Sequence, residues 1–337
     1  FALIMTAKNF FIPKGMRDFN SEIIQKRNYI LETVKTAFEC YGYTPIETPA
    51  MENINTLVGK YGDEGDRLIF KVLNSGDYFS KLDLNSTDSS SSLTKQISEK
   101  ALRYDLTVPF ARFVVQNRND ITFPFKRYQM QNVWRADRPQ KGRYREFFQC
   151  DADVIGTDSL LCEVELVQLY DNVYSQLKIP NVDICINNRK VLIGMIELMG
   201  AIDLFDDVVI ILDKLSIIGL DKVKQEMVEK GVESASLKIL DSFLSAKDIS
   251  DLSSFLEQSE IGKKGLEEIE FVINNVKRLE LQSANLIFDI TLARGLNYYT
   301  GCIFEVKAND VKIGSIGGGG RYDNLISNFG LNNISGV

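Results

Sequence analysis

The sequence predicts an α+β fold with an antiparallel sheet, flanking helices and a small helical domain inserted into the chain. Strand-like runs at about 125–134 and 145–155 flank a basic loop rich in turn-forming residues, which is the pattern of an antiparallel hairpin. After Pro180 the pattern changes to amphipathic helical segments that continue to about Leu281. Strand-like sequence then resumes at Asn285. Helices therefore interrupt a chain that is otherwise organised around strands.

The composition is that of a globular protein. The chain has 337 residues, 45% hydrophobic and 25% charged, which is enough for a large core or two domains. Apolar runs fall short of the roughly 20 residues that span a bilayer, and the N-terminus lacks signal-peptide features. We therefore expect a cytoplasmic protein without membrane association. Met5 resembles a natural start, so residues 1–4 are left out of the fold prediction.

The absence of histidine limits the kinds of catalytic site that the sequence can form. The sequence contains no histidine, which excludes Ser-His-Asp triads, Cys-His pairs and His-ligated zinc. The five cysteines are widely spaced and none forms a C-x-x-C motif, so buried free thiols are favoured over disulfides or thiolate zinc sites. They are Cys40, Cys150, Cys162, Cys185 and Cys302. Catalysis must rely on arginine, lysine, carboxylates, tyrosine, backbone groups or a carboxylate-bound ion.

A local basic patch stands out against the net charge of −7, which itself disfavours nonspecific coating of nucleic acid. Residues 126–145 contain seven basic side chains and one acidic one, Asp137. Guanidinium groups bind phosphate oxygens through paired donors and keep their charge near neutral pH. The loop at 135–145 is therefore a candidate phosphate site. For an isolated basic run, however, a surface hairpin with solvated charges is the favoured interpretation.

The strand after this loop carries a polar face. Period-2 alternation puts Gln149, Asp151 and Asp153 on one side and apolar side chains on the other. A polar face on a central strand needs partners. In a solvent-facing antiparallel sheet the same alternation is ordinary, so spacing alone slightly favours that explanation.

The N-terminal part of the chain predicts a helix and a short strand. Asn20 or Ser21 can cap a helix that runs to about Cys40. A strand is predicted at 43–48, and Pro49 closes it because proline cannot donate to a central ladder. A helix and strand of this kind suit the edge of a dimer.

Further elements follow from composition and periodicity. The polar, serine-rich stretch at 74–100 predicts a mobile surface loop around a possible hairpin. A helix is predicted at about 159–177 and a strand at 182–186. In the helical region, Gly231 resembles a helix end and Ser250 a helix start.

Three smaller constellations are individually weak. Asp105 and Thr107 share a face if their segment is extended, although an Asx turn or helix cap explains Asp105 equally well. The run at 294–301 places a guanidinium and two phenols between strands, but the phenols could equally be core. The run at 318–323 permits close backbone approach to a ligand, but glycine runs are more often flexible turns. It lacks the strand, spacing and lysine of a P-loop.

Taken together, these segments resemble the class II histidyl-tRNA synthetases, in the version shared by eukaryotic enzymes and some bacterial ones. The resemblance covers nearly the whole chain. It includes PKGMRDF at 13–19, a motif-1-like helix and strand ending at Pro49, and RYDLTVPFAR at 103–112. Motif 2 resembles the run at 134–151. The most specific piece is LARGLNYYTG at 292–301, which is similar to the histidine-specific signature of this family.

The resemblance implies a domain organisation. A class II catalytic domain, an antiparallel sheet flanked by helices, would occupy 5–186 and 283–337, with a helical insertion domain at 187–282. The sequence ends at Val337, where motif 3 of the family begins. The motif 3 arginine and the C-terminal anticodon-binding domain are therefore expected to be absent. A fragment of this length is expected to charge tRNA weakly or not at all.

The same resemblance assigns the nucleotide-binding roles. Arg135 would hold the α-phosphate of ATP, Asp137 would meet the adenine amine, Phe147 would stack on adenine, and Arg143 would contact the outer phosphates. Three loop residues would approach the tRNA acceptor stem: Arg138, Gln140 and Lys141.

The amino-acid site is implied in the same way. Residues that would bind or position histidine are Asp105, Thr107, Gln149, Asp153, Arg294, Tyr298, Tyr299 and Tyr322. Arg294 would also serve as the second cation on the α-phosphate, which makes Arg135 and Arg294 the catalytic pair. Asn297 stands where the family usually has aspartate, so imidazole recognition there is altered.

The implied reaction requires little proton chemistry. The carboxylate of L-histidine attacks the α-phosphorus of ATP in line, pyrophosphate leaves, and Mg²⁺ with the two arginines stabilises the phosphoryl charge. The adenylate then passes its acyl group to tRNA(His). The family also implies a homodimer formed through the motif 1 region.

A regulatory protein is the main alternative. Synthetase-like paralogues share the fold, including the regulatory subunit of ATP phosphoribosyltransferase and sensors of uncharged tRNA. Such proteins typically lose the ATP-binding arginines or the RGLDYY-type signature. Here Arg135, Arg143 and Arg294 are all present, which favours the synthetase.

Overall fold

The computed structural model describes residues 11–80, 82–83, 89–246, 248–293 and 297–337. Across those ranges, no helix combines the length and the apolar character that crossing a membrane requires. All five cysteines are free. Cys185 and Cys302 are buried, but Cys40 is exposed, so the prediction of buried thiols is wrong for that residue.

The predicted N-terminal helix is confirmed as α1, Ser21–Cys40. The Asn20 side chain caps it by accepting a hydrogen bond from the Ile23 amide at 3.0 Å. Gly42, with φ of +80°, turns the chain out of the helix. Only one face of α1 is buried, and it contributes Val34, Ala37 and Phe38 to the core.

The strand predicted at 43–48 is much shorter, because β1 covers only Thr44–Pro45. Beyond it the Ile46 amide still donates to the Tyr128 carbonyl at 3.0 Å, and side chains then replace the ladder. The Arg103 guanidinium donates to the Thr48 carbonyl at 2.6 Å, and the Gln131 side chain accepts from the Thr48 amide at 3.2 Å. These bonds satisfy the backbone without a neighbouring strand.

A small antiparallel sheet follows, in the order β2 (Met51–Asn53), β4 (Lys100–Leu102), β3 (Lys71–Val72). Helices α2 (Ile54–Leu57) and α3 (Gly62–Leu68) lie between β2 and β3.

The prediction of a loop with a possible hairpin at 74–100 is wrong in part. Helix α4 occupies Ser90–Ile97, and the small-sheet strand β4 begins at Lys100. Ser89 and Ser92 form a reciprocal capping box, so the serines that indicated a loop start a helix.

The hairpin that carries the candidate site is confirmed. Strand β5 (Phe125–Trp134) pairs antiparallel with β6 (Glu146–Ile155), while β1 pairs parallel with β5 at the other edge. Helix α5 (Thr107–Gln116) precedes the hairpin, and α6 (Leu161–Gln176) follows it, close to the predicted bounds.

A second sheet has the order β10 (Ser315–Gly320), β9 (Cys302–Ala308), β7 (Val182–Asn188), β8 (Asn285–Phe288). Its pairs are antiparallel apart from β7 with β8. Residues 335–337 join the two sheets: Val337 exchanges backbone hydrogen bonds with Val154 of β6, and Gly336 does so with Tyr322, just after β10. The site therefore lies on a nearly continuous, mostly antiparallel surface.

In the part of the chain that the structure describes, the predicted helical region consists of two short 3-10 helices, at Ile202–Leu204 and Ser234–Ser236, and seven α-helices. They are α7 (Arg189–Leu198), α8 (Phe205–Leu212), α9 (Leu215–Ile218), α10 (Leu220–Glu229), α11 (Leu237–Leu244), α12 (Ile249–Phe255) and α13 (Glu260–Leu279). Gly231, with φ of +108°, follows the end of α10 as predicted, and α12 begins one residue before Ser250. These helices share a core of their own, although Val272 and Val276 of α13 pack into the core beneath the sheets.

The glycine run is a strand, so the flexible-turn interpretation is wrong. Strand β10 needs glycine because a Cβ at Gly317 would lie 2.8 Å from the Tyr174 hydroxyl oxygen, and one at Gly320 would lie 2.7 Å from the Cys302 carbonyl oxygen. Tyr170 and Tyr174 of α6 donate to carbonyls of this strand, each at 2.9 Å. The missing side chains let helix α6 lie directly against the sheet.

Gly320→Ala is expected to lower the free energy of unfolding by about 1–3 kcal/mol, because the new methyl group meets a backbone oxygen and the Tyr299 ring. Gly319→Ala is the matched control, since a Cβ there meets nothing within 4 Å. Urea denaturation of both variants measures the difference. Equal stability of the two would contradict the packing described for β10.

Candidate active site

Six side chains on the two hairpin strands form a polar strip. Strand register pairs Arg127 with Asp153, Gln129 with Asp151, and Gln131 with Gln149. The members Arg127, Gln129 and Asp153 are buried, at 0%, 1% and 5% exposure, so a solvent-facing sheet does not explain the alternation here. This end of the polar face is covered and must satisfy its charges internally, whereas Gln131, Gln149 and Asp151 are half-buried.

A buried ion pair closes one end of the strip. An Arg127 terminal nitrogen lies 2.7 Å from an Asp153 carboxylate oxygen, and the guanidinium stacks over the Phe110 ring at 4.2 Å. The Tyr322 hydroxyl donates to the other Asp153 oxygen at 2.7 Å. Burial raises the pKa of Asp153, whereas Arg127 and the Tyr322 hydrogen bond oppose that rise. Asp153 and Tyr322, both predicted site residues, are thus in direct contact.

Asp105 is the acceptor for three donors. The hydroxyls of Tyr61 and Tyr298 donate to its two oxygens at 2.8 and 2.9 Å, and the Val108 amide donates at 3.1 Å. The extended-face prediction for Asp105 and Thr107 is therefore wrong, because Thr107 begins α5 and Asp105 turns the chain into that helix. Burial raises the pKa of Tyr61 and Tyr298 well above the usual value, so both stay protonated and donate.

The three predicted tyrosines form one aromatic group. The Tyr298 ring meets the Tyr299 ring edge-on at 4.9 Å between centroids and the Tyr322 ring edge-on at 6.1 Å. Of the two phenols that could equally be core, Tyr298 is buried and Tyr299 is half-buried; Tyr322 is buried as well. Thr107 lies close enough to the Tyr298 hydroxyl to oppose the rise of its pKa that burial causes. The predicted amino-acid residues therefore cluster on one side of the strip.

Arg135 lies at the other end of the strip. Its Nε donates to the Tyr104 carbonyl at 3.0 Å, and a terminal nitrogen lies 3.5 Å from the Gln149 side-chain oxygen. Its guanidinium carbon is 4.4 Å from the centroid of the Tyr104 ring and 5.1 Å from that of the Phe147 ring. The structure thus brings Arg135, Phe147 and Gln149 together, with the guanidinium held between two aromatic faces.

The basic loop projects its charges from the mouth of the hairpin. The Arg143 guanidinium, 60% exposed, lies 3.7 Å from the Asp137 carboxylate, which fits a weak, exposed ion pair. Gln140 and Arg143 bridge the tip, and Gly142 turns there with φ of +80°. The predicted tRNA-contacting side chains are exposed: Arg138, Gln140 and Lys141.

Two parts of the predicted site need separate mention. Arg294 lies outside the described residues. Asn297 is described, and its side-chain nitrogen approaches Gly62 of α3 so closely that a Cβ at Gly62 would lie 2.4 Å from it. Within the described ranges no cluster of three or more metal-ligating side chains occurs.

Asp151 is one of the site residues that the sequence analysis did not select. It is half-buried, and its carboxylate accepts a long hydrogen bond, 3.4 Å, from the Gln149 amide nitrogen. Burial, together with the nearby Asp153 and Asp105 carboxylates, raises its pKa to about 7, against the opposing effects of Arg127 and Arg135. Arg127, Gln129 and Tyr61 were also missed. The alternation of Arg127, Gln129 and Gln131 along β5 was the available signal for the first two.

The raised pKa of Asp151 predicts a pH-dependent stability. Its folded pKa of about 7 exceeds the usual carboxyl value, so its contribution to stability is complete below about pH 4 and is lost as the pH rises through 7. Asp151→Asn should therefore be more stable than the parent at pH 8 by about 2 kcal/mol, with a smaller gain at pH 5. Denaturant titrations at both pH values measure this. A gain independent of pH would contradict the assignment, since Asp105, Asp153 and the two arginines are common to both proteins.

The site thus consists of a basic hairpin loop next to a partly covered polar strip on a mostly antiparallel sheet. This fold and this arrangement define a class II aminoacyl-tRNA synthetase catalytic domain. The family model for histidyl-tRNA synthetase matches residues 83–336, which is most of the chain. The chain belongs to the histidyl-tRNA synthetase family.

Relatives and solved structures agree with this assignment. The chain is 58% identical to a histidine–tRNA ligase of Christiangramia forsetii, over 97% of this chain and 73% of the relative. It is 54% identical to one from Bacteroides fragilis, again over 97% and 73%. The crystal structure of histidyl-tRNA synthetase from Nostoc sp. PCC 7120 superposes with a TM-score of 0.79 at 32% identity, over 98% of this chain and 72% of that one.

A regulatory relative shares the fold. A structure described as an ATP phosphoribosyltransferase regulatory subunit/histidyl-tRNA synthetase from Bacillus halodurans has a TM-score of 0.75 at 23% identity, covering 98% of this chain and 80% of that one. At this identity the likeness shows the fold alone.

Proposed function

We propose that this protein activates L-histidine with ATP and transfers it to tRNA(His), forming AMP and diphosphate, in the cytoplasm. The observation that carries the proposal is the placement of Arg135. Its guanidinium lies close to Gln149, at one end of the polar strip, and close to the ring of Phe147 at the base of the basic loop. A cation at this junction can hold the phosphate that links an amino acid on the strip to a base stacked near the loop.

The nucleotide roles follow from this placement. Arg135 would bind the α-phosphate and Phe147 would stack on adenine. Asp137 would accept a hydrogen bond from the adenine amine, and Arg143 would bind the outer phosphates. The Asp137–Arg143 ion pair is long, at 3.7 Å, and its arginine is exposed, so ATP can separate the two side chains at little cost. Mg²⁺ would enter with the phosphates of ATP and neutralise their charge.

Some residues of the proposed amino-acid site would contact histidine, and others would hold the contacting side chains in place. Gln149 and Tyr299 are half-buried and can contact histidine. Asp105 and Asp153 already accept hydrogen bonds from Tyr298 and from Tyr322, so they would position those phenols as well as complement the substrate ammonium. Thr107 supports Tyr298 in the same group. Arg294 is proposed as the second cation on the α-phosphate, on the family resemblance alone.

The chemistry of the first step suits a chain without histidine. The substrate carboxylate is itself the nucleophile, so the protein needs to orient it and to stabilise the charge that gathers on the phosphoryl oxygens. Arg135 meets the second requirement through fixed donors that do not deprotonate. Transfer to the terminal ribose of tRNA would follow, with Arg138, Gln140 and Lys141 near the acceptor stem.

The proposed domain organisation and assembly complete the picture. The catalytic domain would comprise 5–186 and 283–337, and the insertion 187–282. A homodimer would form through α1, whose N-terminal half exposes four large apolar side chains. They are Ile23, Ile24, Tyr29 and Ile30, at 42%, 39%, 60% and 45% exposure. Ile23 and Ile30 continue the stripe that Val34 and Ala37 bury further along the helix, and exposed apolar side chains grouped in this way are typical of an interface.

Histidine-dependent exchange of labelled pyrophosphate into ATP by the full-length protein tests the proposal. We expect exchange with histidine and none with glutamine or asparagine, which also present polar side chains. The alternative, a regulatory paralogue, predicts histidine binding without exchange. That outcome would overturn the proposed function.

A further inference from the structure

The segment at 13–19 runs along the outer side of the basic loop at 135–145 and contacts it through the backbone. The Gly15 carbonyl accepts a hydrogen bond from the Arg145 amide at 2.8 Å. Gly15 has φ of +88°, and a Cβ there would lie 2.8 Å from Pro139 Cγ and 2.9 Å from Arg145 Cγ. Both the conformation and the space require glycine at this position. The segment thus touches the middle of the loop and its returning end.

Alternating cations and rings extend this contact. The Arg17 guanidinium carbon lies 3.3 Å from the centroid of the Tyr144 ring and 5.0 Å from that of Phe19. Arg27, on α1, lies 4.3 Å from the Phe19 centroid and 5.9 Å from that of Phe148 on β6. Through these cation–π contacts the loop is linked to helix α1 and to strand β6. Each cation–π contact is attractive and fixes the orientation of its guanidinium.

Near its tip the described loop has two other restraints, and neither is a cation–π contact: Gln140 and Arg143 bridge each other, and a Cβ at Gly142 would lie 3.0 Å from the Ile313 carbonyl oxygen. Its stem is held by the Arg135 amide, which donates to the Arg145 carbonyl at 2.9 Å, and by Arg145 Nε, which donates to the Asp137 carbonyl at 3.0 Å. The side chains of Arg138, Lys141 and Arg143 are exposed. Charges on such a loop bind a nucleotide well only if the loop is already held in the binding conformation.

We propose that residues 13–19 are a brace that holds the loop in its nucleotide-binding conformation, with Arg17 as the positioning residue. Arg17 acts through Tyr144 and does not itself contact substrate. The consequence for activity rests on the proposed function, but the restraint on the loop does not. The two can therefore be tested separately.

The restraint is measured by limited trypsin digestion of the full chain. The bonds after Lys141 and Arg143 are exposed trypsin sites inside the loop. Arg17→Ala is expected to speed cleavage there about threefold to tenfold, the range that one lost cation–π contact supports. Lys14→Ala, in the same segment but without a ring contact in the described structure, is the matched control and should cleave at the parent rate.

The consequence for activity is measured by pyrophosphate exchange. Arg17→Ala should raise the KM for ATP about fivefold and leave the KM for histidine within twofold, and Arg17→Lys should restore part of the loss. Unchanged cleavage at Lys141 and Arg143 would overturn the brace. Equal losses in both KM values together with a lower Tm would also overturn it, since they indicate a general structural role. If the parent protein shows no exchange, the proposed function fails while the cleavage comparison still decides the brace.

Discussion

Arg135→Ala is expected to lower histidine-dependent pyrophosphate exchange by about 10²–10³-fold, the loss typical of removing one preorganised donor to transition-state charge. Arg135 is held by the Tyr104 carbonyl and by two aromatic rings, so its position is fixed before ATP binds. The parent and the variant are compared by kcat/KM for exchange. The loss should appear mainly in kcat, because the charge on the phosphoryl oxygens increases in the transition state.

Arg143→Ala is the matched control for this prediction. Arg143 belongs to the same loop, but it is exposed and its ion pair with Asp137 is long, at 3.7 Å. Removing the Arg143 side chain should therefore raise the KM for ATP with a smaller change in kcat. Thermal melting shows whether each variant folds. A folded Arg135→Ala protein that retains more than a tenth of the parent kcat/KM would show that Arg135 is not the phosphate-binding cation.

Arg321→Met is expected to destabilise the protein by about 3–5 kcal/mol, because it leaves Glu163 buried without its counter-ion. Glu163 of α6 is fully buried, and its oxygen accepts from an Arg321 terminal nitrogen at 2.7 Å. The same guanidinium donates to the carbonyls of Thr157 and Ser159 at 3.3 and 3.2 Å. The pair therefore ties α6 and the turn before it to the end of β10, next to Tyr322 of the site.

The double variant Glu163→Leu with Arg321→Met tests whether the lost stability comes from the unpaired charge of the buried Glu163. Two apolar side chains of similar volume leave no unpaired charge, so most of the lost stability should return. Guanidinium denaturation of the parent, single and double variants provides the comparison. A double variant no more stable than Arg321→Met would show that the arginine contributes through its carbonyl contacts and not through the ion pair.

The sequence predicted those elements whose signals are local. Helix α1 has its cap at Asn20, and hairpin β5–β6 has period-2 alternation and a turn-rich loop; both formed within a residue or two of the prediction. The strand at 43–48 failed because Arg103 and Gln131, distant in sequence, bind the Thr48 backbone in place of a neighbouring strand. The serines near Ser89 indicate loop and helix cap equally well, and only the neighbouring structure decides between them.

The candidate site was predictable in its polar residues but not in their partners. Alternation along β6 indicated Gln149 and Asp153 but could not show that Asp153 pairs with Arg127, because a strand pattern does not give its neighbour's register. Asp105 was selected from the sequence, yet its partners Tyr61 and Tyr298 lie 44 and 193 residues away. The glycines of β10 resembled a turn because the helix that packs against them lies far back in the chain.

A crystal structure with histidine and a non-hydrolysable ATP analogue tests the central claim most directly. The account predicts the α-phosphate within hydrogen-bond distance of the Arg135 guanidinium, adenine stacked on Phe147, and the amino acid on the polar strip beside Gln149 and Tyr299. A nucleotide bound elsewhere, with no phosphate oxygen within about 4 Å of Arg135, would contradict it.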